Sequence, residues 1–449
     1  MNRWVSILFF LLMTTGHFTY SQGNSFALPS NMDSDKIPFQ LINNLIIIPV
    51  EVNNVELSFI LDSGVNKPIL FNILDGFDII DEQTKETIYL KGLGEGEVVE
   101  AVKSKNNIFK IGDAVKFNQT IYAVYNTGLD YAPKLGMPIH GIIGYDLFKD
   151  FVVEVNYAKK HLKIIKHAEY KERLCNKCEK HSLRFFNNKP YLKAEVTLED
   201  KNIPINVLID TGASDALWLF EDESKDIVST DNYFEDFLGY GLSGSLYGKR
   251  SKVESLSIGA FQFNESLVAF PEGSSIETLR RIKDRNGTVG AEILKRFNIT
   301  FNYKEESVIL KKNNFFKKEF KYNKSGIDIE HRGFRVVKDY YYTLNEGRLL
   351  FSTNNMSEPL TDKPSSRNYR LDVKPAFEVV KLRDNSPAKL AGVELGDIIL
   401  EVNGKDVKDS TLQEVIESFS GKNGKRITLL LDRQGKIFEY KFQLKDMLK

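Results

Sequence analysis

The sequence has little cysteine, no surplus of either charge and no long hydrophobic run beyond its N-terminus. Basic and acidic residues number 61 each among 449 residues, so no net field favours nucleic acid or an anionic membrane. After residue 22 no segment approaches the roughly 18 uncharged apolar residues of a membrane-spanning helix. We therefore expect a mature chain that is soluble and monomeric, with no nucleic-acid partner.

The cysteines are confined to Cys175 and Cys178. Zinc would need a second pair, haem attachment would need histidine where Glu179 stands, and a thioredoxin-like site would need a βαβ context. A local disulfide is expected in an oxidising compartment, with free thiols as the alternative. We expect no metal site and no cofactor.

The N-terminus has the pattern of a cleavable signal peptide. Arg3 precedes a short apolar run, Val5–Met13, and small residues follow at Thr19 and Ser21. We predict a signal peptide over residues 1–21 and export to the periplasm or the medium. An uncleaved anchor is the alternative. A bacterial lipid anchor is not expected, because no cysteine follows the run.

An internal repeat organises the middle of the chain. Landmarks recur in the same order about 147 residues apart: Leu57–Val65 with Ile205–Ala213, Leu90–Gly94 with Phe237–Gly241, Ile111–Gly112 with Ile258–Gly259, and Gly141–Val152 with Gly287–Asn298. Alternating apolar residues predict short strands, and the helix-like stretches are Tyr145–Lys149 and Ala291–Arg296. We predict two mainly β lobes, at 22–166 and 187–314, joined by a charged connector at 167–186.

Each copy carries an Asp-Ser/Thr-Gly tripeptide directly after an apolar strand. Asp62-Ser63-Gly64 and Asp210-Thr211-Gly212 occupy equivalent places, and a small Gly-containing element follows each about 80 residues later. One such tripeptide is weak evidence, since Asp and Gly are common in turns. The paired arrangement resembles the retropepsin and pepsin group of aspartic proteases over residues 38–312. That resemblance implies a two-lobed acid-protease fold built from β-barrel lobes.

The resemblance also implies roles for individual residues. Asp62 and Asp210 would be the catalytic pair, supported by Ser63, Gly64, Thr211, Gly212, Gly144 and Gly290. Flaps that bind substrate would include Gly92, Leu93, Gly94, Gly239, Tyr240 and Gly241. Two carboxylates that share a site cannot both ionise easily, so one would act as a base on water while the other donates a proton.

The C-terminal segment carries a different pattern. Ser386-Pro387-Ala388, Gly396-Asp397-Ile398-Ile399 and Val402-Asn403-Gly404 closely resemble PDZ domains, especially the circularly permuted kind on bacterial proteases. We predict an α+β PDZ domain over 325–449 with an insertion at about 332–372. A capping box is predicted at Ser410 and Gln413. The peptide groove would include Gly326, Ile327 and Val415.

The connector Phe315–Lys324 is basic and aromatic, and we expect it to pack on a lobe. Taken together, the sequence predicts an exported aspartic endopeptidase that acts on peptide or protein substrates, with a PDZ domain for substrate or partner binding. The alternative is an inactive peptide-binding or surface scaffold protein that keeps the protease fold.

Overall fold

The computed structural model describes residues 24–71, 79–80, 86–92, 94, 96, 98–124, 130–172, 175–273, 276, 285–343, 349–351 and 366–448. The predicted signal peptide at 1–21 lies outside these residues. The chain is mainly β, as the alternating patterns predict.

Strands of the first half are β1 (Ser34–Pro38), β2 (Gln40–Ile42), β3 (Leu45–Val52), β4 (Val55–Leu61), β5 (Ile69–Phe71), β6 (Glu86–Leu90), β7 (Val99–Ile111), β8 (Ala114–Val124), β9 (Gly141–Ile143), β10 (Val152–Asn156) and β11 (His161–Ile165). The segment predicted as a connector, 167–186, contributes β12 (Cys178–Ser182) and β13 (Arg184–Phe186).

The second half continues with β14 (Lys189–Leu198), β15 (Lys201–Ile209), β16 (Leu217–Leu219), β17 (Phe234–Gly241), β18 (Gly244–Ile258), β19 (Phe261–Pro271), β20 (Gly287–Val289), β21 (Phe297–Asn302) and β22 (Ser307–Lys312). The C-terminal part adds β23 (Ile327–Thr343), β24 (Leu349–Phe351), β25 (Ser366–Leu382), β26 (Ile398–Val402), β27 (Lys405–Asp406), β28 (Arg426–Arg433) and β29 (Lys436–Gln443).

Two eight-stranded sheets have the same internal order. One runs β2-β3-β4-β9-β5-β8-β7-β6 and the other β13-β14-β15-β20-β16-β19-β18-β17. In both, the third and fourth strands are parallel and the hairpin of the last two strands projects at the edge. A six-stranded sheet, β1-β11-β10-β21-β22-β12, takes strands from both halves. One apolar cluster runs through all three sheets.

The helices are short: α1 (Ala132–Leu135), α2 (Tyr145–Asp150), a 3₁₀ turn (Glu223–Lys225), α3 (Ala291–Leu294), α4 (Pro387–Ala391) and α5 (Leu412–Ser418). The predicted helical stretches after Gly144 and Gly290 are α2 and α3. The capping box lies one residue later than predicted, because Thr411 is the N-cap of α5 and its partner is Glu414.

The C-terminal domain has its own core and sheet, ordered β24-β23-β25-β26-β28-β29, with β27 beside β26. At the two ends of the predicted insertion, β23 continues to Thr343 and β25 begins at Ser366, and these two strands pair antiparallel. The connector before this domain, Phe315–Lys324, packs on the second half, as expected. The ring of Phe316 lies 5.6 Å from that of Phe297 and 5.1 Å from that of Phe263.

Candidate active site at the paired Asp loops

Each predicted aspartate stands at the end of a buried strand. Asp62 follows β4 and its N–H donates to Ile143 O at 2.8 Å. Asp210 follows β15 and its N–H donates to Val289 O at 3.0 Å. Parallel pairing of β4 with β9, and of β15 with β20, therefore fixes both loops in the same way.

Reciprocal hydrogen bonds join the two loops. The Ser63 N–H donates to Thr211 Oγ1 and the Thr211 N–H donates to Ser63 Oγ, both at 3.0 Å. The Ser63 hydroxyl donates to Ile209 O and the Thr211 hydroxyl to Leu61 O, both at 2.7 Å. Both side chains are fully buried, and each hydroxyl group donates one hydrogen bond and accepts one. Such a satisfied buried network holds the two loops in one arrangement.

The glycines allow the two carboxyl groups to approach. The Gly64 N–H donates to Asp62 Oδ1 at 2.6 Å, and the Gly212 N–H donates to Asp210 Oδ1 at 2.9 Å. A Cβ on Gly64 would lie 2.9 Å from the Asp210 carboxyl carbon, and one on Gly212 would overlap the Asp62 carboxyl group. Each glycine of one half therefore lies against the aspartate of the other.

Two further predicted support residues lie beneath the loops. A Cβ on Gly144 would overlap Asp62 O, and one on Gly290 would overlap Asp215 O. These are packing constraints on the backbone, and they explain why the turns after β9 and β20 need glycine.

The paired carboxyl groups interact electrostatically. The pKa of Asp62 is raised well above its ordinary value by burial, then by the charge of Asp210 and a hydrogen bond to it. Burial and the nearby Asp62 also raise the pKa of Tyr131 to about 12. The raised pKa of Asp62 lets its carboxyl group keep a proton at pH values where an ordinary carboxyl group has lost it, so it can donate a proton beside Asp210.

A cavity of about 510 Å³ opens over Asp62 and Asp210. The predicted flaps meet above it: the Gly92 N–H donates to Ser243 Oγ at 3.0 Å, and the Gly96 N–H donates to Ser243 O at 2.6 Å. Gly94 also lies against this Ser243–Gly244 turn, whereas Leu93 lies outside the described residues. Gly239, Tyr240 and Gly241 line the cavity from the second half.

Several cavity residues were missed by the sequence analysis. Lys189 and Arg285 line the wall formed by the second half, and Asp215 lines the cavity while accepting from Arg250 Nη1 at 3.0 Å. Lys189 could have been found by comparing the repeats, because it follows Asn187-Asn188 as Leu45 follows Asn43-Asn44. No motif marks Arg285 or Arg250.

The predicted PDZ groove residues are part of a packed region. Ile327 and Val415 are buried in the core of the C-terminal domain, and Gly326 has a φ of +80° with Ser386 against it. Helix α1 of the first half lies beside both β23 and α5. Gly136, which ends α1, lies against His331 and Leu412. The space between β23 and α5 therefore has α1 as a neighbour.

Charged groups connect the C-terminal domain to the second flap. Arg250 Nε donates to Asp236 Oδ2 at 2.9 Å, and Arg383 Nη2 donates to Asp236 Oδ1 at 3.4 Å. Lys381 Nζ lies 2.9 Å from the ring centroid of Phe237. Burial, and then the charge of Asp236, raises the pKa of the neighbouring Asp328 to about 6.

The raised pKa of Asp328 predicts that the stability of the folded protein depends on pH. The folded state holds the Asp328 proton more tightly than the unfolded chain does. The contribution of this carboxyl group to the free energy of unfolding therefore falls as pH rises from about 4 to 6. In Asp328→Asn this fall disappears. The free energy of unfolding of the variant, relative to wild type, should rise by about 2.5 kcal/mol between pH 4 and pH 7. Denaturant titrations at both pH values measure it, and an unchanged difference would contradict the assignment.

The cysteine pair is bonded in the structure. Cys175 and Cys178 form a disulfide with an S–S distance of 2.09 Å. Cys178 begins β12, whose partner β22 lies in the six-stranded sheet, away from the Asp loops. The bond therefore braces the start of an edge strand.

The comparison with protein families concerns the C-terminal domain. A family model described as PDZ domain matches residues 378–433. The C-terminal domain is a PDZ domain. The match begins within β25 and ends with β28, so it includes α4 and α5.

Curated relatives match short stretches. A probable CtpA-like serine protease of Staphylococcus saprophyticus is 37% identical over 13% of this chain and 12% of its own. A carboxy-terminal-processing protease of Bartonella bacilliformis is 40% identical over 13% of this chain and 14% of its own. The carboxy-terminal processing protease CtpA of Bacillus subtilis is 24% identical over 22% of this chain and 26% of its own. The chain thus spans about a quarter or less of the relatives it matches.

These names contradict the function predicted from the sequence. The prediction was an aspartic endopeptidase, or an inactive scaffold that keeps its fold, whereas the matched relatives are named proteases and one of them a serine protease. The aspartic-type assignment is corrected accordingly. What the names share with the prediction is the broader class, a protease.

In the part of the chain that the structure describes, no helix is both long and apolar enough to cross a membrane.

Proposed function

We propose that this chain is a protease with a PDZ domain, and that the cavity over Asp62 and Asp210 is where it holds a polypeptide substrate. One observation carries the proposal: two aspartate loops, cross-linked by reciprocal hydrogen bonds, place a proton-sharing carboxyl pair under a cavity that two hairpins cover. A carboxyl group whose pKa is strongly raised by burial and by a second carboxyl group, and that lies in a cavity, is typical of functional sites.

Within this proposal Asp62 and Asp210 are the catalytic residues. Ser63, Thr211 and the four glycines position them, while Gly92, Gly94 and Tyr240 contact substrate from the flaps. The fold likeness to acid proteases also belongs to the proposal, supported by the identical strand order of the two eight-stranded sheets. The lobes remain proposed at 22–166 and 187–314, although β13 of the second eight-stranded sheet lies within the predicted connector.

The PDZ domain would bind peptide segments of substrates or partners along the surface between β23 and α5, near Gly326, with Ile327 and Val415 in the core beneath it. Export follows from the N-terminal pattern of residues 1–21. The names of the relatives support proteolysis. Because one of them is named a serine protease, the assay includes a reagent that modifies catalytic serines.

The proposal is tested with the chain after residue 21 and a library of fluorogenic decapeptides. We expect cleavage of a subset of the library, at sites that share a side-chain preference. A serine-directed phosphonate reagent is added in a parallel assay. Absence of cleavage across the library and in folded protein substrates, at pH 4 to 8, would contradict a protease. Complete inactivation with one modified serine would place the active site elsewhere.

A further inference from the structure

The two walls of the cavity are equivalent in the repeat but differ in chemistry. Leu45 follows the Asn43-Asn44 turn, and Lys189 follows the Asn187-Asn188 turn. The registers confirm this equivalence, since Ile42 pairs with Leu45 and Phe186 pairs with Lys189. All four asparagines have positive φ, so the two turns share one conformation. Both Leu45 and Lys189 line the cavity.

Further equivalent pairs show the same change. Ile60 pairs with Ile142 in the first half, and Leu208 pairs with Thr288 in the second. Arg285, one position before Asn286, is only 7% exposed and donates to Thr288 Oγ1 at 2.9 Å. At these equivalent positions the first half presents Leu45, Ile60 and Ile142, and the second presents Lys189, Arg285 and Thr288 beside Leu208. Elsewhere in the lining the first half also contributes Lys67, Lys91 and Lys134.

The cationic groups of the second wall retain capacity for an anion. Within the described part of the chain, no ion pair of 4.0 Å or less is recorded for Lys189. Arg285 donates to Gly287 O and Thr288 Oγ1 and faces the ring of Phe220. The charge of Asp210 acts on both Arg285 and Lys189, so these cations face the carboxyl pair as well as the cavity. The cavity carboxylate of Asp215 is already engaged by Arg250 and Trp218. A half-buried ammonium beside a buried guanidinium gains most from a carboxylate that enters with the substrate.

We propose that the cavity selects an extended peptide with an acidic side chain against Lys189 and Arg285, and an apolar side chain against Leu45, Ile60 and Ile142. The inference rests on the proposed function, since it names the substrate class of the same site. A carboxylate also meets Thr288 Oγ on this wall, so the wall offers both charge and a hydrogen-bonding hydroxyl. The positions of Leu45, Ile60 and Ile142 offer a carboxylate no partner, and this difference from the equivalent positions of the second half favours one direction of the peptide.

Binding of non-cleavable peptides tests the inference separately from turnover. Decapeptides with a reduced amide at the centre carry Glu, Gln or Leu at each position in turn, and their Kd values are measured by calorimetry. Wild type should bind one Glu peptide about tenfold more tightly than its Gln counterpart. In Lys189→Leu, which copies the residue of the first half, this preference should vanish while the apolar preference remains. Lys189→Arg should restore it.

Two outcomes would overturn the inference. One is an equal Kd for Glu and Gln peptides at every position in wild type. The other is an equal loss for all peptides in Lys189→Leu, together with a shifted pH dependence of binding, since Lys189 would then act only through the carboxyl pair. If wild type cleaves peptides while the Kd values are equal, the proposed function stands and only this inference fails. If acidic peptides are preferred in binding but no peptide is cleaved, the proposed function fails.

Discussion

Replacing Asp62 or Asp210 by asparagine is expected to lower the rate of peptide cleavage by about 10⁴-fold, the upper end for loss of acid–base groups. Asparagine keeps the shape of the side chain, so the Gly64 and Gly212 N–H groups retain an acceptor. What disappears is the shared proton. The double variant should be no slower than either single variant, because the two groups act as one unit.

The pH dependence should follow the same pair. The raised pKa of Asp62 means that its proton is held until pH rises well above the range of an ordinary carboxyl group. Activity should therefore fall as rising pH removes this proton. The profile of kcat/KM against pH should show this fall on its alkaline side.

Asp231→Asn is the matched control, because Asp231 is exposed and lies outside the cavity. It should cleave at the wild-type rate. Retained activity in both Asp62→Asn and Asp210→Asn, with circular dichroism spectra like wild type, would remove the carboxyl pair from the proposal. If a serine-directed reagent inactivates those variants, the modified serine becomes the candidate catalytic residue.

Replacing Arg296 by methionine is expected to lower the free energy of unfolding by about 2–3 kcal/mol, since Glu292 keeps Lys295 as a partner. The Arg296 side chain is only 1% exposed, and its guanidinium group donates to Glu292 and to carbonyl groups of the connector. It also stacks on Phe320 at 3.9 Å. Methionine fills much of the volume but leaves Glu292 and the connector carbonyls without these donors.

Denaturant titration measures this loss, with Lys311→Met on the exposed part of β22 as the control, expected to change stability by less than about 0.5 kcal/mol. Arg296→Lys should recover only part of the loss, because an ammonium group cannot donate to several carbonyls in one plane. A change below about 1 kcal/mol in Arg296→Met would show that the connector is held by its phenylalanines alone.

The sequence was informative where chemistry repeats and where patterns are local. The recurring Asp-Ser/Thr-Gly landmarks located the two loops, and the Gly-containing elements located α2 and α3. The PDZ domain was also predicted correctly, because its Ser-Pro-Ala and Gly-Asp-Ile-Ile segments are closely spaced.

Other features depend on contacts between distant segments. In the six-stranded sheet β10 pairs with β21, and the sequence of neither strand indicates which strand it pairs with. Arg296 sits in a Lys-Arg dipeptide that is typical of a solvated surface, yet Phe320 and the connector bury it. The capping box was misplaced by one residue because Ser410 and Thr411 are both good N-caps, and only the backbone decides between them.

The position of α1 gives the cavity and the PDZ domain a common part. Tyr131, Lys134 and Leu135 line the cavity, while Lys134 Nζ faces Tyr240 of the second flap and Glu330 of β23. A ligand that displaces α1 from β23 and α5 must also change the cavity wall. Thermodynamic linkage is reciprocal, so a peptide in the cavity then alters affinity at the PDZ domain by the same factor.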